Sequence, residues 1–495
     1  MSILPAKEIH QTQIGCVVRP YRKRQSHMIE QYTGIYDKVY HRYNGYVGFI
    51  LPFHGMNAFI TYQRDFDFLK RALPEYEIIQ EPLIHAKRME GKPVFEGITS
   101  MRAVQSQIIG QIETEKRYNN VWFVNLQTDS GKTILSTYVS LTFGLKTWIC
   151  CYSKDILKQW LRTYEDYTTI PNDRIIVMTG KKIDMILAGE LDPNDFDVFV
   201  STPRTLDAFG DARSNYQRIG DLFKDCGIGL FVYDEAHRWV SDFVKILSCA
   251  NPRYVLALSA DFSQGDHEKE DMFRQVFRNA SVLVPTNDIQ QTLKNTMIRV
   301  VYFNSFPTAI EQNEIFNRYG FDASLYAKYE FKKQTMLKAA LYILHSVMDE
   351  RPKDCKDRSL VLFVNVQHVE DFCTLCKAHF PNLKVGRFHG AVGDLEKEDT
   401  KENADIIVAT YSSFSTGLHT HDIKYILSTN QCNKVADNQA AGRSSNAYYF
   451  MLVDKGFSYC MKKLRTRLNY LKVTKAKDDN IQAFTYHPDI FPVEI

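Results

Sequence analysis

The pattern of hydrophobic and polar positions changes near residue 96. Before that point, short alternating segments predict a small α+β module, with a strand at 14–18, a helix over 26–43 and a hairpin formed by 45–51 and 57–62. After it, apolar runs alternate with helical patterns, which is typical of parallel sheets.

Two series of apolar runs follow. Predicted strands of the first lie at 121–124, 147–151, 174–178, 198–201, 229–233 and 255–259. Those of the second lie at 298–303, 360–364, 384–388, 406–410, 425–428 and 448–453. We therefore predict an α/β fold with two tandem doubly wound parallel-sheet domains and a linker near 285–297. The predicted domains are 1–95, 96–290 and 291–455, followed by a basic helix and tail at 456–495.

Length and composition agree with this division. The chain has 495 residues, of which 44% are hydrophobic and 24% charged, as in ordinary soluble proteins of roughly three domains. It has no run of 18 apolar residues, so we expect no contact with the membrane interior. The first residues lack the apolar stretch of a signal peptide, and we expect an intracellular, cytoplasmic protein.

One pair of the ten cysteines has the spacing of a metal site. Cys373 and Cys376, with His368 and His379 nearby, could suggest zinc. The same cysteines also belong to an apolar series at helical spacing, which comprises Val369, Phe372, Cys373, Cys376 and Phe380. We favour a buried helix face.

The net charge of +3 indicates no partner, but its distribution is uneven. No acidic residue occurs from 455 to 477, where the basic residues include Lys462, Lys463, Arg465, Arg467, Lys472, Lys475 and Lys477. A smaller cluster contains Arg19, Arg22, Lys23 and Arg24. Each cluster could contact phosphates or be a solvated face, and the sequence leaves both open.

A candidate phosphate-binding loop connects a predicted strand at 121–124 to a helix that begins with Lys132. Loop amides and the helix N-terminus would face the anion, Lys132 would supply positive charge, and the Thr133 hydroxyl would reach Mg²⁺. The remaining loop residues of this candidate site are Thr128, Asp129, Ser130 and Gly131. Leu126 stands where the strict motif has glycine, and an acidic residue such as Asp129 is electrostatically unusual in a phosphate loop.

A second motif, Asp234-Glu235-Ala236-His237, follows the apolar run 229–233. The carboxyl end of a strand is where open α/β sheets bind their ligands. Asp234 would hold Mg²⁺, and Glu235 would position and deprotonate a water molecule. The alternative is a charged helix start.

With these two motifs, the chain resembles superfamily 2 helicases of the DEAH type over about 100–455, and most of all the compact viral members found among T4-like phage recombination helicases and poxvirus transcript-release helicases. The resemblance implies two RecA-like domains. Further segments appear in the family's order. Gln105 matches the adenine-reading glutamine. Ser153 and the segment Thr202-Pro203-Arg204 match the residues that grip a nucleic-acid backbone. Ser259 matches the serine that, with His237, couples hydrolysis to strand movement.

The second half continues the resemblance. Phe363 and Asn365 match the first strand of the family's second lobe. Thr410 and Gly417 lie in a segment like the one that contacts both strand and nucleotide, and Gln439, Gly442 and Arg443 match the motif that faces the γ-phosphate. Asn446 stands where the family has a second arginine. Arg443 could act alone, or Arg465 or Arg467 could replace the missing charge.

The resemblance implies an ATP-dependent helicase or translocase with ATP and Mg²⁺ as cofactors. Its partner would be single-stranded, forked or branched DNA, or else RNA. Its role would be in viral replication or recombination, where it would unwind, branch-migrate or anneal DNA. One alternative is a translocase that releases transcripts. Another is a nucleotide-gated binding protein with little turnover, which Asn446 and Asp129 would suit.

Overall fold

The chain divides into two units, Met1–Pro285 and Thr286–Ile495. The computed structural model describes residues 7–19, 35–37, 42–44, 48–53, 56–62, 69–71, 73–92, 101–126, 130–212, 216–236, 240–259, 280–286, 295–317, 320–349, 357–417, 423–431, 433–441 and 447–488. Within these ranges, every helix is too short or too polar to cross a membrane.

The first unit begins with a five-stranded sheet in the order β5-β6-β2-β1-β7. Its strands are β1 (Glu8–Gln11), β2 (Gly15–Arg19), β5 (Gly48–Phe53), β6 (Met56–Tyr62) and β7 (Glu77–Gln80). Neighbours are antiparallel except β1 and β7, which are parallel. The predicted strand at 14–18 and the predicted hairpin are confirmed, the first strand of the hairpin being shifted toward the C-terminus.

The helix predicted over 26–43 is wrong where the structure describes this segment. Two short strands, β3 (Ile35–Asp37) and β4 (Arg42–Asn44), pair there antiparallel. Tyr36 faces Tyr43 and Asp37 faces Arg42 across the pair. Backbone pairing between the two segments therefore decides the structure here, and the helical spacing of apolar residues does not. Residues 26–34 and 38–41 lie outside the described ranges.

The first large sheet is entirely parallel, in the order β10-β11-β9-β12-β13-β8-β14. Its strands are β8 (Val121–Asn125), β9 (Thr147–Cys150), β10 (Ile175–Val177), β11 (Val198–Ser201), β12 (Leu230–Tyr233), β13 (Tyr254–Ser259) and β14 (Ser281–Leu283). The connecting helices are α1 (Ala103–Glu115), α2 (Lys132–Phe143), α3 (Lys154–Tyr167), α4 (Gly180–Leu187), α5 (Pro203–Ala212), α6 (Gln217–Cys226) and α7 (Val240–Cys249). Every residue of β9, β11 and β12 is buried, as expected for a sheet covered on both faces.

The N-terminal sheet packs on α7, which follows the Asp234-Glu235 motif. Strands β2 and β6 contact this helix. The turn between β1 and β2 is held by three hydrogen bonds. Thr12 Oγ1 donates to the Leu247 carbonyl (2.7 Å), the Gln13 amide to Asn251 Oδ1 (3.3 Å), and Gln13 Nε2 to the Pro252 carbonyl (2.8 Å). The N-terminal module is therefore part of the first unit.

The second large sheet is also entirely parallel, in the order β19-β20-β18-β21-β22-β15-β23. Its strands are β15 (Met297–Phe303), β18 (Arg358–Phe363), β19 (Val385–Phe388), β20 (Ile406–Thr410), β21 (Ile423–Ser428), β22 (Tyr448–Asp454) and β23 (Ile481–Thr485). A small hairpin consists of β16 (Phe316–Asn317) and β17 (Gly320–Phe321). The helices are α8 (Ala309–Glu314), α9 (Ala323–Lys333), α10 (Thr335–Asp349), α11 (Val366–His379), α12 (Asp394–Asn403), α13 (Tyr411–Gly417), α14 (Lys434–Ala441) and α15 (Ser458–Thr474).

All twelve predicted strands overlap observed ones, and the predicted α/β fold with two doubly wound sheets is confirmed. The sequence did not indicate β23, which pairs with β15 and extends the second sheet at its edge. The chain beyond 456 thus contributes both a helix and a strand to the second unit.

The Cys373 and Cys376 side chains are buried in α11, in one core with Val369, Phe372 and Phe380. The predicted buried helix face is confirmed. Across the described part of the chain, no group of three or more potential ligands among His, Cys, Asp and Glu is arranged to hold a metal ion.

Candidate nucleotide-binding and hydrolysis site

The predicted phosphate loop runs from the end of β8 to the start of α2. Gly131 caps α2 with φ of 79°, in the left-handed region that favours glycine. A Cβ at this position would lie 2.2 Å from Nε2 of Gln105, so a side chain would also displace the end of the Gln105 side chain. Ser130 is buried beside it, whereas Thr128 and Asp129 lie outside the described residues.

Gln105 connects the first helix to this loop. Its Nε2 donates to the Gly131 carbonyl (3.0 Å), and its Oε1 accepts from the Arg102 amide (2.9 Å). The side chain is buried. The residue matched to the adenine-reading glutamine is therefore held directly against the phosphate loop.

Lys132 is the first residue of α2. Its side chain is largely buried, and its Nζ donates to the Leu126 carbonyl at the end of β8 (3.2 Å). The ammonium group is thereby folded back over the loop and lies close enough to Asp234 to lower the pKa of that carboxyl. Thr133 follows in the first turn and is partly buried.

Asp234 directly follows β12 and is fixed by three hydrogen bonds. Its amide donates to the Cys150 carbonyl (2.9 Å), its Oδ1 accepts from the Glu235 amide (2.9 Å), and its Oδ2 accepts from Nε1 of Trp160 (3.0 Å). Glu235 has φ of 53°, a left-handed conformation that is uncommon for a residue with a side chain. Such strain is frequent at functional sites.

Burial and the neighbouring Glu235 carboxylate raise the pKa of Asp234 to about 6, although Lys132 and the Trp160 hydrogen bond act in the opposite direction. Asp234 thus takes up a proton more readily than an ordinary aspartate does. A divalent cation would stabilise its charged form. One carboxylate and one hydroxyl, the role that the sequence predicts for Thr133, fit the few protein ligands that Mg²⁺ takes when phosphates supply the rest.

Trp160 is a residue of this site that the sequence analysis missed. It lies on α3, is completely buried, and gives its indole N–H to the carboxylate proposed to hold the metal. The available signal was general: a buried tryptophan needs an acceptor for its N–H. Nothing in the spacing identified that acceptor.

The residues matched to backbone-gripping segments lie at the same edge of the first sheet, because β9 and β11 are parallel neighbours. Ser153 caps α3 and accepts from the Ile156 amide (3.3 Å). Thr202 Oγ1 and Thr205 Oγ1 are 3.0 Å apart, Pro203 begins α5, and Arg204 is exposed. Only Arg204 thus presents a charged side chain to solvent.

The coupling residues are described in part. Ser259 ends β13 and is fully buried, and its carbonyl accepts from the Leu126 amide (3.0 Å). The Ala236 amide donates to the Leu258 carbonyl (2.8 Å). The strand carrying Ser259 is therefore bonded both to the phosphate loop and to the Asp234-Glu235 segment. His237 lies outside the described residues.

In the second unit, Thr410 ends β20, and its Oγ1 is within hydrogen-bond distance of the Ser412 and Ser413 hydroxyls (3.2 and 3.0 Å). Gly417 ends α13 and Gln439 lies in α14, while Arg443 is outside the described residues. Arg467, which the sequence left as a possible substitute for the missing arginine, is fully buried against Asp437 and cannot serve that role. That alternative was wrong for Arg467. A buried guanidinium needs a partner of opposite charge, and Asp437 is that partner.

Comparison with known proteins adds two kinds of similarity. Residues 98–264 match the family model described as Type III restriction enzyme, res subunit, a match that spans β8–β13 and both motifs of the site. No curated protein matches the chain.

Among solved structures, Saccharomyces cerevisiae Dbp5 bound to RNA and ADP BeF3 is similar, with 13% identity, a TM-score of 0.50, and coverage of 79% of this chain and 95% of that one. The Hef helicase domain of Pyrococcus furiosus has 14% identity and a TM-score of 0.45, with coverage of 73% and 98%. At such identities the likeness to Dbp5 concerns the fold, and the two large sheets match tandem RecA-like domains.

Proposed function

We propose that this chain is an ATP-hydrolysing motor of the superfamily 2 helicase type that moves along nucleic acid. One observation carries the proposal. Lys132, at the start of α2, and the carboxylate of Asp234, at the end of β12, meet at one edge of a parallel sheet, next to Gly131, whose positive φ favours glycine. The match of residues 98–264 to a restriction-enzyme subunit supports it.

Bound ATP and Mg²⁺ would supply the anhydride bond and the cation that neutralises charge during phosphoryl transfer. On the protein side, the N-terminus of α2 and Lys132 bind phosphate, and Thr133 and Asp234 hold the metal. Glu235 orients a water molecule and accepts its proton. Gln105 reads the base, and Arg443 and Gln439 act from the second unit, as the family resemblance implies.

We infer that the preferred nucleic acid is DNA, single-stranded, forked or branched, as in the recombination helicases that the sequence resembles. The comparisons leave room for RNA, since the family model is named for a restriction enzyme whereas the Dbp5 structure holds RNA. ATP turnover measured side by side with single-stranded DNA, duplex DNA, forked DNA and RNA decides between them. We expect the strongest stimulation by DNA that contains a single-stranded part, and stronger stimulation by RNA would overturn the inference.

Glu235→Gln tests the hydrolytic role. The variant should bind ATP but lose turnover by about 10²–10⁴-fold, because only the proton acceptor is removed. Glu190→Gln is the matched control, since Glu190 is exposed in the turn after α4 of the same unit. Retention of more than about a tenth of parental turnover by Glu235→Gln would contradict the assignment. Absence of turnover in the parent with every nucleic acid would instead favour a nucleotide-gated binding protein.

A further inference from the structure

The small hairpin of the second unit carries an exposed aromatic cluster. Phe316 and Phe321 face each other across β16 and β17, with ring centroids 5.9 Å apart. Both rings lie against Tyr459 at the start of α15. Phe321 is stacked on it (4.8 Å, 13°), and Phe316 meets it edge-on (5.6 Å, 89°). Phe316 nevertheless leaves 42% of its surface in solvent.

Both ends of this hairpin are held by packing or hydrogen bonds. Ile315, which precedes Phe316, is buried with Tyr326, Phe457 and Cys460 in a separate small core. The Asp322 amide donates to the Ile315 carbonyl (2.9 Å), and the Asp322 carboxylate caps α9. The exposed ring of Phe316 therefore has a fixed support, and its exposure does not result from poor packing.

A basic face of α15 continues from the aromatic cluster. Lys463 Nζ lies 5.4 Å from the centre of the Tyr459 ring. Lys462 and Arg465 are exposed and stand at positions i and i+3 of the helix, so they lie on one face. Neither forms an ion pair within the described ranges. We call Phe316, Phe321, Tyr459, Lys462, Lys463 and Arg465 the aromatic–basic surface.

The basic run that the sequence singled out is thus divided by the fold. Arg467 and Lys475 point into the protein, with exposures of 0% and 2%, and Lys472 pairs with Asp478 (2.9 Å). Of the exposed cations in this run, Lys462 and Arg465 lie on the helix that carries Tyr459, whereas Lys477 lies beyond the end of α15. Cations beside stacked aromatic side chains are the combination by which proteins bind unpaired nucleotides.

The aromatic–basic surface lies at the same edge of the second sheet as Thr410. The hairpin segment follows the carboxyl end of β15 and α15 follows that of β22, and Phe303 pairs with Asp454 at those ends. Thr410 ends β20, which is four strands from β15 in the order β20-β18-β21-β22-β15. At about 4.8 Å per strand the separation is roughly 19 Å.

We propose that the aromatic–basic surface binds single-stranded nucleic acid. The strand's path would begin at Thr410 and continue along the sheet edge to this surface. A base stacks on Phe316, and Lys462 and Arg465 bind the flanking phosphates. Stacking requires an unpaired base, so duplex is not recognised here. The inference rests on the proposed function and adds a binding surface outside the helicase motifs.

Fluorescence anisotropy with a labelled thymidine 20-mer, measured on the full chain without nucleotide at several salt concentrations, tests the surface. Phe316→Ala should weaken binding by roughly 5- to 150-fold, the range typical of losing one stacked base. The salt dependence should be unchanged, since no phosphate contact is lost. Lys462→Ala/Arg465→Ala should weaken binding and reduce the slope of log K against log salt by about 1.4, or about 0.7 for each phosphate contact.

Two control variants show whether losing any exposed aromatic ring or any exposed charge weakens binding. Tyr118→Ala removes an aromatic side chain that is 91% exposed in the first unit. Lys377→Ala removes an exposed charge near the end of α11, which precedes the edge strand β19 of the second sheet. Both should bind the 20-mer as the parent does. Duplex binding should be unaffected by Phe316→Ala.

The inference is overturned if Phe316→Ala and the double variant bind the 20-mer with parental affinity and salt slope while remaining folded. In that case the exposed rings serve another partner, such as a protein. If the parent still shows nucleic-acid-stimulated ATP turnover, the proposed function survives. If the parent binds no nucleic acid under any condition, both proposals fail.

Discussion

The buried ion pair between Arg467 and Asp437 permits a quantitative prediction. Arg467 Nε donates to Asp437 Oδ2 (2.5 Å), and Nη2 donates to Oδ1 (3.1 Å). Neither side chain has measurable exposure. Burial opposes the charge of the guanidinium, but the Asp437 carboxylate outweighs it and raises the pKa of Arg467 above its usual value. The pair joins α15 to α14, the helix that contains Gln439.

Replacing Arg467 by methionine should cost about 3–5 kcal/mol of stability, the range found when one partner of a buried pair is removed. The structure explains why the remaining hydrogen bonds only partly compensate the buried charge of Asp437. Asp437 Oδ1 keeps hydrogen bonds from Tyr449 (2.7 Å), Ser428 (3.2 Å) and Asn430 (3.2 Å). Oδ2 loses Arg467, the only donor recorded for it in the described residues, and stays buried with its charge.

The double variant Arg467→Met/Asp437→Asn isolates the electrostatic part. It removes both charges, and the Asn side chain still presents an oxygen to the same donors. Replacing both members of a buried ion pair often changes stability little. The double variant should therefore regain at least half of the stability that Arg467→Met loses. Arg465→Met is the control on the same helix, where an exposed substitution should change stability by no more than about 0.5 kcal/mol.

The assay can separate the two units. All four tryptophans, Trp122, Trp148, Trp160 and Trp239, belong to the first unit. In urea titrations, tryptophan fluorescence therefore reports the first unit, whereas far-ultraviolet circular dichroism reports both. Arg467→Met should shift only a circular-dichroism transition to lower urea. A shift below about 1 kcal/mol, or no recovery in the double variant, would refute the reasoning.

Two further predictions concern single side chains. Trp160→Phe removes the indole N–H that donates to Asp234. The Mg²⁺ concentration for half-maximal ATP turnover should then rise about 10- to 100-fold, as it does when other residues that orient a metal ligand are lost. An unchanged Mg²⁺ requirement would contradict this. Burial and the Asp454 carboxylate raise the pKa of Glu330 well above 4.5, so the folded chain retains a proton that the unfolded chain releases. Stability should therefore fall as pH rises above about 4.5, by at most about 1.4 kcal/mol per pH unit from this group, until the raised pKa is passed. Glu330→Gln should flatten that dependence in urea titrations at pH 5.5 and 8.5, and an equally steep dependence in the variant would exclude Glu330 as its source.

The sequence predicted the two large sheets well because their strands are covered on both faces. Such strands are continuous apolar runs, which are visible without knowledge of any partner. The edge strand β23 contains Gln482 and is exposed over most of its length, so it has no such run. The helix predicted at 26–43 failed for a related reason, because strand pairing there depends on a partner segment that the local sequence pattern does not identify.

The site divides in the same way. Lys132 and the Asp234-Glu235 pair were predictable because each follows a buried strand within one short segment. Trp160 was not, since its bond to Asp234 spans 74 residues, and the burial of Arg467 depends on Asp437, 30 residues away. A run of cations in the sequence therefore could not show which of them are exposed for nucleic acid and which stabilise the fold.

The departure of the phosphate loop from the strict glycine pattern has a physical explanation at Leu126. Its side chain is buried, its amide donates to the Ser259 carbonyl, and its own carbonyl accepts from Lys132 Nζ. Leu126 thus continues β8 with a negative φ, a conformation open to any residue, whereas Gly131 has φ of 79°, which favours glycine. The loop needs glycine at the second position and can use an apolar side chain at the first to fill the core. The absence of the first glycine is therefore no argument against phosphate binding.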